Sequence, residues 1–171
     1  ALVNRIGYQE SLPVVVNPGV LNPEEFIKEV LEVRFPNPFI PDTPQRIATD
    51  TSQKLGIRFG ETLKAYALSR KKDCSFLKGI PLVFAGWLRY LLAVDDRGEP
   101  FELSPDPMLD VIKEELKGIT LGSEIIKGKT LKPILSDEKI FGVNLYEVGL
   151  AHIVEDYFSK LIAGKGAVRK V

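Results

Sequence analysis

The sequence predicts an all-α domain, and three features carry that prediction. Cap-plus-proline helix starts recur at Asn22–Pro23, Thr43–Pro44 and Asp106–Pro107. Apolar residues return at three- and four-residue spacing. The stretch "IPLVFAGWLRYLLAV" is apolar almost all round, as in a helix buried at the centre of a bundle. About six or seven helices follow from these signals.

Residues 1–21 read as irregular, with "VVVNPGV" as a short extended run closed by a Pro-Gly turn. Asn22 then caps a helix with Pro23 first and Glu24 and Glu25 in its first turn. Phe26, Val30 and Val33 share one face, and Pro36 stops the helix near Arg34 or Phe35. Four of the chain's twelve prolines fall between Pro36 and Pro44, which makes a stiff loop. "PQRIATDTSQKL" reads as the next helix, and "GETLKAYALSR" as a further one with Leu63, Ala67 and Tyr66 inward. After the apolar helix comes the polar turn "DDRGEP". Asp106 then caps a helix begun by Pro107, with Met108, Leu109, Ile112 and Leu116 toward the core and Gly118 as its stop. Residues 121–145 are broken by glycines and Pro133 into short helices and loops. "LYEVGLAHIVEDYFSKLIAG" forms the last helix, with Leu150, Val154, Phe158 and Leu161 as its stripe and Gly164 at its end.

The 171 residues suffice for one domain with a real core. Twenty-three basic residues balance twenty-three acidic ones, so no net charge draws the chain to nucleic acid or acidic lipid. A single cysteine, Cys74, excludes an internal disulfide framework and a multi-cysteine metal site. No segment reaches the length of a membrane span and no signal pattern opens the chain, so a soluble cytoplasmic protein is expected. The start at "ALVNRIGYQES", without Met, reads as part of a longer polypeptide.

Dinucleotide and phosphate-loop fingerprints are missing. His152 is the one histidine; among apolar neighbours such a residue is more often packed or solvated than catalytic. Cys74, with no histidine partner in view, reads as an ordinary thiol. The small basic "GKGAVRK" near the terminus reads as a solvated tail, and "TDTSQK" as the polar end of the second helix. The proline loop stands apart. It brings Arg34, Asn37, Asp42, Thr43 and Arg46 close together on a backbone with little entropy left to lose. Arginine forks and an amide suit the hydroxyls and carboxylate of a polar ligand. The same residues have a structural use of equal weight: Asn37 and Asp42 satisfy loop backbone, and Arg34 closes the preceding helix.

The residues carry a further likeness. "RFPNPFIPDTPQRIATDTSQKL", with Arg34, Phe35, Asn37 and Pro38 followed by Asp50, Ser52 and Lys54, resembles the C-terminal domain of the mannitol dehydrogenase family. Residues Ala85 to Pro107 and the closing "LIAGKGAVR" are similar to it too, so the likeness runs from about Glu10 to Arg169. It implies a multi-helical fold like the C-terminal domain of 6-phosphogluconate dehydrogenase, filling residues 1–171 as the substrate side of a longer enzyme. The N-terminal Rossmann domain, which binds NAD or NADP, would be its partner, and the Lys/Asn/His acid–base motif would lie upstream. No catalytic residue, cofactor site or metal is expected in this chain. Arg34 and Asn37 are implied as substrate contacts, with Asp42, Arg46 and Lys54 as further candidates. Pro41 stands where many relatives carry a substrate lysine. The parent would interconvert a polyol or aldonate and its keto form, and the chain alone would be inactive. Mannitol, a mannitol phosphate, fructuronate and tagaturonate all stay open as substrates. A stand-alone helical interaction module, keeping the fold without catalysis, is the alternative.

Overall fold

A computed structural model describes residues 1–15, 17, 19–40, 43–70 and 73–171. Among them the chain is helical, with nine α-helices and a single isolated bridge between Val94 and Pro100. Nine exceeds the six or seven expected because several are single turns.

The N-terminal residues depart from the expectation of irregular chain. α1 (Leu2–Asn4) runs into a π-helical stretch, Arg5–Ser11, and a 3-10 turn, Leu12–Val14. Long-range packing explains this better than local propensity. Glu10 is buried and lies against the start of a later helix, so the segment is ordered by what it touches. α2 (Pro23–Glu29) begins as predicted: the Asn22 side chain accepts from the Glu24 and Glu25 amides at 3.1 and 3.3 Å. A π-helical turn, Val30–Arg34, carries it to Phe35, ahead of Pro36.

α3 (Pro44–Ala48) starts at Thr43, whose hydroxyl accepts from the Arg46 amide at 3.2 Å. The expected continuous helix from Pro44 to Leu55 is interrupted at Thr49–Asp50, where Asp50 takes a left-handed φ of 53°. α4 (Thr51–Ser69) then runs unbroken through the two segments that the sequence reading separated. Gly56 and Gly60, at the junction of those two segments, sit inside α4 and permit close approach to Gly142. "TDTSQK" therefore spans the break and opens α4 instead of closing a helix.

α5 (Gly79–Tyr90) is the central helix. α6 (Leu109–Glu115) starts two residues later than Pro107, after a turn in which Asp106 accepts from the Met108 amide. α7 (Lys132–Leu135) and α8 (Glu138–Phe141) are the predicted short helices. α9 (Ala151–Leu161) begins six residues after Leu145, since Gly149, at φ 74°, turns the chain first. α5 packs on α9, and α4 on α8. Phe84, Phe141, Phe158, Leu63, Ile80 and Leu88 fill the core, and the Phe84 and Phe141 rings meet at 4.8 Å. The predicted stripe Leu150, Val154, Phe158 and Leu161 is buried throughout, as are Leu63, Tyr66, Ile112 and Leu116. Ala67, Met108 and Leu109 pack at its edge.

Carboxylates from distant parts of the chain close two helix starts. Glu10 accepts from the amides of Lys78, Gly79 and Ile80 at 2.8, 2.6 and 2.8 Å, at the positive end of α5. Asp106 does the same at the first turn of α4.

Candidate functional site

The end of α2 and the start of α4 converge on a cleft of about 450 Å³. Its described lining is Phe26, Val30, Arg34, Phe35, Arg46, Ile47, Lys54 and Arg58. Local structure accounts for each position. The π-helical turn Val30–Arg34 widens the helix just before the proline loop and ends on Arg34. α3 contributes Arg46 and Ile47. α4 contributes Lys54 and Arg58, one turn apart on one face. Phe26, Val30, Phe35 and Ile47 form apolar walls.

Four cations thus meet in one cleft, and among the described lining residues none is acidic. The Lys54 ammonium donates to the Thr49 carbonyl, which holds its stem against the α3–α4 break. Like charges at i and i+4 on a helix repel by a few tenths of a kcal/mol, as Lys54 and Arg58 do. An anionic or strongly accepting ligand would offset that repulsion with charge-assisted hydrogen bonds.

Of the residues singled out in the sequence, Arg34, Arg46 and Lys54 line this cleft. Asn37 does not. Its side-chain oxygen accepts from the Phe39 amide at 2.9 Å, an Asx turn that shapes the loop. Asp42 and Pro41 lie outside the described residues. Arg58 is the residue that sequence reading missed; its spacing of four from Lys54 was the available signal.

His152 and Cys74 are accounted for elsewhere. His152 Nδ1 lies 2.8 Å from Glu155 Oε2. Glu155 is fully buried and accepts from Tyr146 Oη at 2.7 Å and the Gly128 amide at 2.8 Å. Burial, then the Glu155 carboxylate, pushes the Tyr146 hydroxyl well above its usual range. The cluster ties the loop around Gly128 to α9. Cys74 is buried beside the Leu63 carbonyl, and burial and Asp73 push its thiol up to about 11.

Residues 1–161 match the family model described as the mannitol dehydrogenase C-terminal domain, and the chain belongs to that family. It is 53% identical over 169 residues to the D-mannonate oxidoreductase of Thermotoga maritima, covering 99% of this chain and 31% of that protein. It is 33% identical over 154 residues to mannitol dehydrogenase 2 of Saccharomyces cerevisiae, covering 89% of this chain and 29% of that protein. The chain therefore spans about a third of the length of these relatives. In fold it is similar to Pseudomonas fluorescens mannitol 2-dehydrogenase, solved as a ternary complex with NAD and D-mannitol. The TM-score is 0.76 at 18% identity, over 98% of this chain and 31% of that one.

Proposed function

We propose that this chain is the substrate-side domain of an NAD(P)-dependent oxidoreductase that interconverts a polyol or aldonate and its keto form. The observation that carries the reading is the cleft lined by Arg34, Arg46, Lys54 and Arg58 between apolar walls. Guanidinium forks suit a carboxylate and vicinal hydroxyls, and apolar walls offer contact to the ligand's carbon chain. The family membership and the printed name of the Thermotoga relative, a D-mannonate oxidoreductase, support a sugar-acid substrate.

In this reading Arg34, Arg46, Lys54 and Arg58 bind and orient substrate, and Asn37 holds the loop that aims Arg34. The dinucleotide belongs to sequence outside this chain, in an N-terminal Rossmann domain that also supplies the Lys/Asn/His acid–base group. Among the described residues, the two longest helices offer a pyrophosphate no free N-terminus. The starts of its two longest helices, α4 and α5, are filled by the Asp106 and Glu10 carboxylates, and an incoming phosphate would meet like charge there. No catalytic step is therefore assigned to residues 1–171.

The test compares the full-length protein with the 171-residue chain. The full-length protein is expected to oxidise D-mannonate with NAD or NADP. The chain alone is expected to turn over nothing and to leave NAD(P)H fluorescence unchanged on titration. Coenzyme turnover or saturable dinucleotide binding by the purified 171-residue chain would contradict the assignment.

A further inference from the structure

α4 is capped in an unusual way. Its own leading residue, Asp50, is left-handed at φ 53° and its side chain makes no capping bond. Aspartate at such a position ordinarily accepts from the first-turn amides itself. Here the capping carboxylate comes from Asp106, far along the chain. Asp106 Oδ2 accepts from the Ser52 amide at 2.8 Å, and Oδ1 accepts from the Ser52 hydroxyl and, at 3.0 Å, from the Met108 amide. Beside it, the Pro105 carbonyl accepts from the Asp50 amide at 2.9 Å. The clasp is anchored in turn, because the Ser104 amide donates to Tyr90 Oη at 2.8 Å at the end of the central helix α5. Ser52 is buried, so the clasp works with little competition from water.

What the clasp grips is the turn between two walls of the cationic cleft. Arg46 and Ile47 lie just before the turn on α3, and Lys54 and Arg58 lie just after it on α4. The turn is braced on its other side by the Thr51 hydroxyl, which donates to the Ala48 carbonyl at 2.7 Å, and by the Lys54 ammonium on the Thr49 carbonyl. We infer that Asp106, acting through Ser52, is a positioning residue that sets the α3–α4 angle and so places Lys54 and Arg58 for substrate. This rests on the reading of the cleft as the substrate site.

Full-length Asp106→Asn tests it, since the amide keeps the shape but has one accepting oxygen for the Ser52 and Met108 amides, which lie on different carboxylate oxygens. The KM for D-mannonate is expected to rise about tenfold or more, with the KM for the dinucleotide unchanged. In a Lys54→Gln, Arg58→Gln background, adding Asp106→Asn is expected to raise the KM no further, because the residues it places are already gone. A variant that unfolds at lower denaturant but keeps the wild-type KM would overturn the inference, as would a full additional rise in the double-variant background. If the wild-type protein neither binds nor turns over D-mannonate, the substrate-side reading fails first and the inference falls with it.

Discussion

Arg34 and Asn37 come from the same loop and end with different work. Asn37 spends its carbonyl oxygen on the Phe39 amide, so its amide shapes backbone. Arg34 ends a π-helical turn and faces the cleft. Both uses were readable as alternatives in the sequence; only the fold separates them, because an Asx turn is local and a cleft is not. Cys74 shows the same logic at a buried thiol. Its pKa is raised from 9.0 to about 11, chiefly by burial and then by Asp73. A neutral thiol is thus favoured by folding. Its contribution to stability is fully present below 9.0 and is lost as pH rises toward about 11. A disulfide thiol reagent is therefore expected to leave Cys74 unmodified at neutral pH until the protein is unfolded. Reaction at the rate of a free thiol in the native protein would contradict this burial.

At the scale of elements, glycine placement decided what sequence reading missed. Gly56 and Gly60 stand where the sequence was read as two helices, yet both lie inside α4. A methyl at Gly56 would stand 3.0 Å from the Gly142 nitrogen and 3.1 Å from the Ile140 carbonyl oxygen, both backbone atoms. Helix propensity alone would make Gly56→Ala stabilising by about 1 kcal/mol. Crowding against backbone that cannot yield costs about 1–3 kcal/mol, so crowding is expected to win and Gly56→Ala to destabilise the protein. The midpoint of denaturant unfolding measures the sign; a rise would show that α4 and α8 can separate freely. The two borrowed caps explain a second miss. Glu10 and Asp106 act across long sequence separations, on α5 and α4, and no local pattern announces such a partner. Caps made by neighbours, as at Asn22 and Thr43, were legible because partner and helix are adjacent in the chain.

At the scale of the whole molecule, the helical class and the core stripes follow from periodicity alone, since burial of one helix face leaves its mark every three or four residues. The apolar stretch around Phe84 and the stripe of α9 read directly as the centre of the domain. The cleft did not read directly. Arg34, Arg46, Lys54 and Arg58 lie on three helical segments, and their convergence depends on the α3–α4 break at Asp50. Under the proposed function, the chain would hold substrate while the coenzyme is held by sequence outside it. Each cation of the cleft can be neutralised singly in the full-length protein, as Arg34→Ala, Arg46→Gln, Lys54→Gln and Arg58→Gln, and the KM for D-mannonate and for the dinucleotide measured side by side. A loss in kcat/KM for the sugar acid is expected, for Arg34→Ala by a factor equivalent to about 1.5–3 kcal/mol, with the dinucleotide KM unchanged. Unchanged sugar-acid kinetics, or a change confined to the dinucleotide KM, would contradict it.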